Sequence, residues 1–147
     1  MLISDLIHDG ATPTLEAMVR FAGSRQRMIA HNIANISTPN FQQVEVDPAS
    51  FQRSLAEAVE RRRHSTGSTG PLQFRSTDQI RQERDGSLTL TPLAQKPSRN
   101  ILFHDRNNRG IEELMADQAE NVAAFRVASD LLKSRHDLLR MAIAERV

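Results

Sequence analysis

Residues 111–146 read IEELMADQAENVAAFRVASDLLKSRHDLLRMAIAER, and their pattern predicts one long helix. Apolar side chains recur at steps of three and four, which places them on one stripe of an α-helix. This C-terminal stripe consists of Ile111, Leu114, Met115, Val122, Phe125, Ala128, Leu132, Leu139, Ala142 and Ile143. A helix from Gly110 to Arg146 spans about 55 Å at about 1.5 Å per residue, whereas globular helices average about 11–12 residues. A chain of 147 residues cannot easily wrap a compact core around such a rod, so the stripe needs another cover.

A second stripe of the same kind lies near the N-terminus. It consists of Leu15, Met18, Val19, Ala22, Ile29, Ile33 and Ile36. We expect Thr12 to cap this helix and Pro13 to begin it, because proline at the first position loses no hydrogen bond. Pro39 ends the helix near Ile36, since it forces the preceding residue out of the helical region. The two stripes are predicted to cover each other in part, and neighbouring copies of the chain to cover the rest.

A shorter helix is predicted from Asp47 to about Arg63. Asp47 is the expected N-cap and Pro48 the first helical residue. One face of this helix carries Phe51, Leu55, Ala58 and Val59. The three arginines at its end, Arg61–Arg63, are expected to be solvated and to match the helix dipole.

The middle of the chain is predicted to be irregular and partly β. Residues 65–71 read STGSTGP, which is typical of a turn or linker. The alternation of Ser87–Thr91 makes this stretch the best strand candidate. The predicted fold is mostly α: long N- and C-terminal helices pair as a coiled-coil-like unit, with a short third helix and this middle segment. The expected segments are 1–46 (N-terminal helix and the motif after it), 47–64 (short amphipathic helix), 65–103 (irregular segment) and 104–147 (long C-terminal helix, one structural unit with the N-terminal helix).

The composition argues against several classes of function. Nineteen basic and 18 acidic residues leave a net charge of +1, so the chain lacks a field that attracts nucleic acid or anionic lipid. Cysteine is absent, which excludes disulfides and thiolate zinc sites. The five histidines have no metal-ligand spacing, and no phosphate-binding loop or nucleophile motif is present. We therefore expect no enzyme, metal, cofactor, small-molecule substrate or nucleic-acid partner.

The sequence also predicts no membrane span and no cleaved signal peptide. No stretch approaches 18 consecutive apolar residues. The start of the chain, MLISDLIHDG, lacks both the positive charge and the long apolar run of a secretory signal.

Two short motifs resemble those of a known family. Residues 30–41 read AHNIANISTPNF, which is similar to the N-[IL]-A-N-x-x-T-P-G-[YF] run of the flagellar rod, hook and filament-junction family. Residues 104–116 read HDRNNRGIEELMA, which resembles a motif of its proximal rod members. The resemblance covers about residues 12–53 and 101–145. Asn40 stands where the family prefers Gly, and Arg106 replaces another Gly; Asn tolerates the left-handed conformation better than other non-Gly residues, so the first turn can survive.

The resemblance implies a structural subunit of the bacterial flagellar basal-body rod. In that family the terminal helices pack side by side into a tube around an export channel, which acts as a drive shaft. The implied partners are copies of the same chain, other rod proteins, and proteins of the export apparatus and the membrane ring. The implied location is the periplasmic rod of the basal body, reached through the flagellar type III apparatus without a cleaved signal.

The residues expected to make assembly contacts follow from the two stripes and the first motif. They are Leu15, Met18, Ala22, Ile29, Asn32, Ile33, Asn35, Ile36, Thr38, Pro39, Ile111, Met115, Gln118, Val122, Phe125, Leu132, Leu139 and Ile143. Asn32 lies in line with apolar residues, where a polar side chain can fix helix register, and Asn35 can bond the last carbonyls of the helix. Periodicity alone favours solvated end-of-helix roles for both, whereas the resemblance favours contacts. Gln118 and Asn121, with Arg135 and His136 further along, are similar candidates for fixing register.

Two other functions stay open at this point. A cytosolic helical adaptor or chaperone-like module would bury the same stripes against one partner helix. A small hydrolase would need a catalytic pair near His104 and Asp105.

Overall fold

The computed structural model describes residues 10–66, 70–84, 86–94 and 110–144. In chain order the elements are α1 (Thr12–Ala34), β1 (Val44–Glu45), α2 (Pro48–Thr66), β2 (Ile80–Gln82), β3 (Leu88–Leu90), β4 (Leu93–Ala94) and α3 (Ile111–Ala144). The predicted fold class is confirmed: the chain is mostly helical, and its long N- and C-terminal helices pack together. Residues 104–109, which carry much of the second motif and the His104–Asp105 pair, lie outside the described residues.

Helix α1 ends within two residues of its predicted end, but its start differs from the prediction. Thr12 is itself the first helical residue, and Ala11 occupies the N-cap position without a side-chain cap. The Thr12 hydroxyl is buried and has no hydrogen-bond partner within the described part of the chain. The prediction of a Thr12 cap was therefore wrong, because the helix begins one residue earlier than a capping Thr12 allows.

Helix α2 begins as the sequence predicts. The Asp47 carboxylate accepts hydrogen bonds from the backbone N–H groups of Ala49 (2.9 Å) and Ser50 (3.1 Å), two of the groups that a helix start leaves unpaired. The helix continues to Thr66, three residues beyond the predicted end.

The arginines near the end of α2 do not share one environment. Arg61 and Arg63 are exposed, as expected. Arg62 is only 6 % exposed and donates a hydrogen bond from Nη1 to the carbonyl oxygen of Gly10, 2.8 Å away. The expectation of a solvated helix end was thus wrong for Arg62, which ties the end of α2 to the chain just before α1.

Within the described residues, four short strands form two separate antiparallel pairs. Strand β1 pairs with β4, which places Val44 opposite Ala94, and β2 pairs with β3, which places Ile80 opposite Leu90. The turn between β2 and β3 contains Gly86 at a φ of 79°, a backbone conformation that glycine adopts without strain. The predicted strand at Ser87–Thr91 is confirmed as β3, whereas the other three strands were missed.

Three phenylalanine rings form the centre of the core. Phe21 of α1 stacks on Phe51 of α2, with ring centroids 3.9 Å apart and planes 7° from parallel. Phe74, from the chain before β2, also stacks on Phe51, with ring centroids 6.2 Å apart. The remaining buried members of this cluster are Ala17, Val46, Ala58, Leu72 and Ile80.

The middle segment therefore contributes to the core of its own chain. Leu72 and Ile80 are 5 % and 1 % exposed. The Gln82 side chain fixes the preceding chain, because it donates to the Leu72 carbonyl (2.9 Å) and accepts from the Phe74 N–H (2.8 Å). Although irregular, this part of the segment is packed against α1 and α2.

Candidate assembly surface

Helices α1 and α3 lie antiparallel and bury the side chains between them. At one end Leu114 lies beside Ile29 and Asn32, and at the other Arg135 approaches Gly10. We call this contact the helix seam; its buried side chains are Ala22, Ile29, Leu114, Asn121 and Ala128. The three α3 members recur every seven residues, as in a coiled coil. The 34 residues of α3 span about 51 Å and the 23 of α1 about 34 Å, so α3 extends past the start of α1.

Two polar contacts fix how far the helices slide along each other. Asn121 is 3 % exposed, and its side-chain amide donates to the Ala22 carbonyl and to Gln26 Oε1, both at 2.9 Å. Arg25 forms an ion pair with Asp117, with Nη2 and Oδ1 2.9 Å apart. Because buried polar groups need these partners, a shifted register would leave them unpaired. Asn121 thus has the geometry of a register-fixing residue.

One carboxyl group beside this ion pair is perturbed. Partial burial raises the pKa of Glu45, and the neighbouring Asp117 carboxylate raises it further, whereas Arg25 opposes the shift. The ionised form of Glu45 is therefore disfavoured in the folded chain.

The first motif forms the end of α1 and the turn after it. Asn35 bonds the His31 carbonyl oxygen twice, through its backbone N–H (3.2 Å) and its side-chain amide (2.9 Å). The Thr38 hydroxyl donates to Asn35 Oδ1 at 3.4 Å. Asn40 adopts a φ of 58°, the left-handed conformation in which the family prefers Gly. Both the helix-end geometry of Asn35 and the turn at Asn40 agree with the sequence analysis.

Asn32 pairs with the backbone of β1 rather than with α3. It is 3 % exposed; its amide donates to the Val44 carbonyl (2.8 Å), and its Oδ1 accepts from the Val44 N–H (3.1 Å). One asparagine side chain thus completes both backbone hydrogen bonds of a strand residue. The role of setting register between helices falls to Asn121 instead, and Asn32 holds the chain that follows the motif against α1.

No cluster of three His, Asp or Glu side chains that could hold a metal ion occurs within residues 10–66, 70–84, 86–94 and 110–144. Within the same ranges, no helix is long and apolar enough to cross a membrane.

Comparison with known proteins identifies the family. The chain is 32% identical over 112 residues to the flagellar basal body rod protein FlgB of Borrelia hermsii, a match that covers 73% of this chain and 76% of that protein. This chain belongs to the FlgB family of flagellar basal body rod proteins. No protein-family model matches the chain. The resemblance seen in its two motifs is confirmed by a relative that is similar over most of its length.

The residues expected to make assembly contacts in this FlgB-family chain fall into three environments. Buried against the chain's own elements are Ala22, Ile29 and Asn32. Half-buried are Leu15, Met18, Ile33, Asn35, Ile36, Gln118, Val122, Leu132 and Leu139. Exposed are Thr38, Pro39, Ile111, Met115, Phe125 and Ile143. The two stripes thus cover each other in part along the helix seam, and the third group of residues is exposed.

Two apolar surfaces were not predicted from the sequence. One is the side of α1 that carries Ala17 and Phe21 and packs on α2 and the middle segment. The other lies on α3 and consists of Val127, Leu131, Leu138 and Met141, which are 53–59 % exposed. We call the latter the C-terminal apolar face. Steps of three, four and seven link its members, so the signal was present, but the stronger C-terminal stripe concealed it.

Proposed function

We propose that this chain is a structural subunit of the bacterial flagellar basal-body rod, a drive shaft that transmits torque, and that it assembles through its terminal helices near the export apparatus. The proposal is supported by its membership of the FlgB family. Its partners would be copies of itself, other rod proteins, and proteins of the export apparatus and the membrane ring. It would be exported without a cleaved signal peptide and act in the periplasmic rod, with no cofactor and no catalytic role.

The observation that carries the proposal is the one-sided cover of α3. Its buried residues, Leu114, Asn121 and Ala128, all lie toward α1, and eight large apolar side chains elsewhere on the helix are at least 40% exposed. They are Ile111, Met115, Phe125, Val127, Leu131, Leu138, Met141 and Ile143. Contiguous apolar surface on a helix is typical of an interaction site.

A rod must resist twisting, and the helix seam suits that task. A helix bonded along its whole length is stiffer than a loop. Asn121 and the Arg25–Asp117 pair lock α3 to α1, so torque applied to one helix reaches the other. Close packing of small side chains such as Ala22 and Ala128 leaves little room for the helices to slide.

The test is complementation in a strain that lacks the gene for this chain. The wild-type gene should restore rods and motility, whereas Leu131→Asp should not, because its charge would be buried against a neighbour. Ala119→Asp is the matched control, since Ala119 is exposed on the same helix and points about 120° away from Leu131. Normal rods in the deletion strain itself would contradict the proposal.

An adaptor that binds one partner would differ from a rod subunit in the size of the complexes it forms in solution. A helical adaptor or chaperone-like module would form complexes of fixed stoichiometry with one partner. Light scattering with and without neighbouring rod proteins separates this outcome from the open-ended assemblies that a rod subunit should form.

A further inference from the structure

Helix α3 presents three faces in different directions. The first is the helix seam, which α1 covers. The second is the C-terminal apolar face, centred near Leu131 and Leu138. The third consists of Ile111 and Met115, which are 40 % and 47 % exposed, and we call it the N-terminal apolar face. At about 100° per residue, the two apolar faces point roughly 150° apart, and each lies roughly 110° from the seam.

Each apolar face continues along the helix as a row of charges. In line with the C-terminal apolar face, toward the start of α3, lie the exposed Glu113 and Glu120. In line with the N-terminal apolar face, toward the end of α3, lies a basic row of exposed side chains: Arg126, Lys133 and Arg140. Asp130 and Asp137 lie beside the basic row, and Arg140 Nη1 is 3.9 Å from Asp137 Oδ1.

The charge of α3 is divided along its length as well. Residues 111–125 contain four carboxylates and no basic residue. Residues 126–144 contain four Lys or Arg residues and two Asp residues. Even with Asp130 and Asp137, the second half of the helix is net positive and attracts the first half of another copy.

We propose that α3 of each copy contacts its neighbours head to tail: the N-terminal apolar face of one copy packs on the C-terminal apolar face of the next. On the same side of that next copy, Glu113 and Glu120 receive the basic row of a further copy. The occupant of each free face is thus another copy of this chain. This inference rests on the proposed function and specifies which surfaces of α3 join the copies.

The directions of the two faces make the contact open-ended. In a symmetric dimer both subunits use the same surface. If that dimer joined the N-terminal apolar face of one subunit to the C-terminal apolar face of the other, each α3 would have to contact its partner through both faces at once. Faces that point roughly 150° apart on a helix cannot both meet one straight partner helix. Each copy therefore receives a neighbour on one face and presents the other to a different neighbour, which generates an extended array.

The spacing of the faces fits copies that point in the same direction. If Ile111 and Met115 of one copy pack on the centre of the C-terminal apolar face of a second copy, the two copies are offset by roughly 32 Å along the helix axis. If the basic row of a further copy packs on Glu113 and Glu120 of that second copy, the further copy is offset by roughly 25 Å in the opposite direction. These two copies are then about 57 Å apart, slightly more than the length of α3 of about 51 Å, so both fit end to end along one side of a third.

The experiment uses two full-length variants that each block one face. Leu131→Asp disables the C-terminal apolar face and Met115→Asp disables the N-terminal one. Both side chains are largely exposed, at 53 % and 47 %, so each variant should keep the unfolding midpoint of the wild-type chain. Sedimentation velocity measures the mass of each variant alone and of an equimolar mixture, next to the wild-type chain over a range of concentrations.

We expect the wild-type chain to form large species, each variant alone to be monomeric, and the mixture to form a complex of two chains. The mixture combines one intact face from each variant, and the blocked faces stop further growth. A mixture that stays monomeric, or a Met115→Asp chain that dimerises alone, would overturn the inference, as would a wild-type chain that never self-associates. If an Asp variant loses the wild-type midpoint, Leu131→Ser and Met115→Ser replace the pair. Whether the wild-type gene restores rods to the deletion strain does not depend on this result, so the proposed function is judged separately.

Discussion

The two buried sides of α1 differ in the types of side chain that they contain. The side toward α2 and the middle segment packs aromatic and branched residues, with Phe21 stacked on Phe51 and Ile80 1 % exposed. The side toward α3 packs Ile29 and Leu114 at one end and small and polar residues, Ala22, Ala128 and Asn121, along the rest. The first contact joins α1, α2 and the middle segment, whereas the second joins α1 and α3.

This difference indicates that one side of α1 stabilises the fold, whereas the other side holds α3 in position for assembly. A core of large side chains provides most of the hydrophobic stabilisation, since burying a side chain such as Phe contributes about 1.5–3 kcal/mol. The helix seam, whose buried members include two alanines and one asparagine, stabilises less but holds α3 close and in one register, and leaves the rest of α3 uncovered. The fold therefore anchors a long helix by one side and offers the others to neighbouring molecules.

The largest loss of stability is expected at the aromatic core. Phe51→Ala removes the ring on which both Phe21 and Phe74 stack and leaves a cavity. We expect the free energy of unfolding to fall by about 3–5 kcal/mol in urea titrations. Phe125→Ala is the matched control, because Phe125 is 40 % exposed on α3 and should cost under about 1 kcal/mol. Equal losses would show that the two regions do not differ as described.

The next largest effect is expected where the motif joins the core. Asn32→Ala leaves the N–H and carbonyl groups of Val44 without their partner. We expect a loss of about 2–3 kcal/mol, because buried polar groups would be left unsatisfied. Asn35→Ala, which removes a side-chain bond at an accessible helix end, should cost about 1 kcal/mol in the same titrations. A loss at Asn32 no greater than that at Asn35 would contradict this description.

A smaller loss is expected at the helix seam. Asn121→Ala removes the bonds to Ala22 and Gln26 and should lower the free energy of unfolding by about 1–2 kcal/mol. Because the change affects only the contact between α1 and α3, hydrogen exchange should accelerate along α3 more than along α2. Gln118→Ala, at a half-buried position of the same helix, is the control. Equal acceleration along α2 would mean that seam and core are one cooperative unit.

The smallest effect concerns pH. Since burial and Asp117 raise the pKa of Glu45, the folded chain holds this proton to a higher pH than the unfolded chain does. The ionised carboxylate thus destabilises the fold; this cost is absent below the unfolded pKa and grows as pH rises through the folded pKa. The stability of Glu45→Gln relative to the wild-type chain should therefore rise as the pH rises above the unfolded pKa of a glutamate, about 4.3. In an Asp117→Asn background the gain should shrink, and a gain that falls with rising pH would contradict the assignment.

The sequence determined the helices more securely than their contacts. The stripes, the Asp47–Pro48 helix start and the turn at Asn40 are local features, and each follows from a few neighbouring residues. The Asn32–Val44 pair and the bond from Arg62 to Gly10 join residues distant in the chain, and a single sequence holds no signal for such pairs. Asn121 could be singled out from its position, but its partners could not.

The second apolar side of α1 was missed for a related reason. A helix with two buried sides shows apolar residues over a wide arc, and a search for one stripe assigns them all to the same partner. Ala17 and Phe21 belong to the core, whereas Ala22 and Ile29 belong to the seam. Only the partners on each side, α2 and α3, distinguish the two sets.

The most direct test of the central claim compares two adjacent leucines of α3. Leu131 is 53 % exposed on the C-terminal apolar face, whereas Leu132 is half-buried at the helix seam. We expect Leu131→Asp to unfold at the wild-type urea midpoint yet fail to enter rods, and Leu132→Asp to lower that midpoint by itself. Leu131→Asp chains that build normal rods would contradict the claim that neighbouring molecules cover this face of α3.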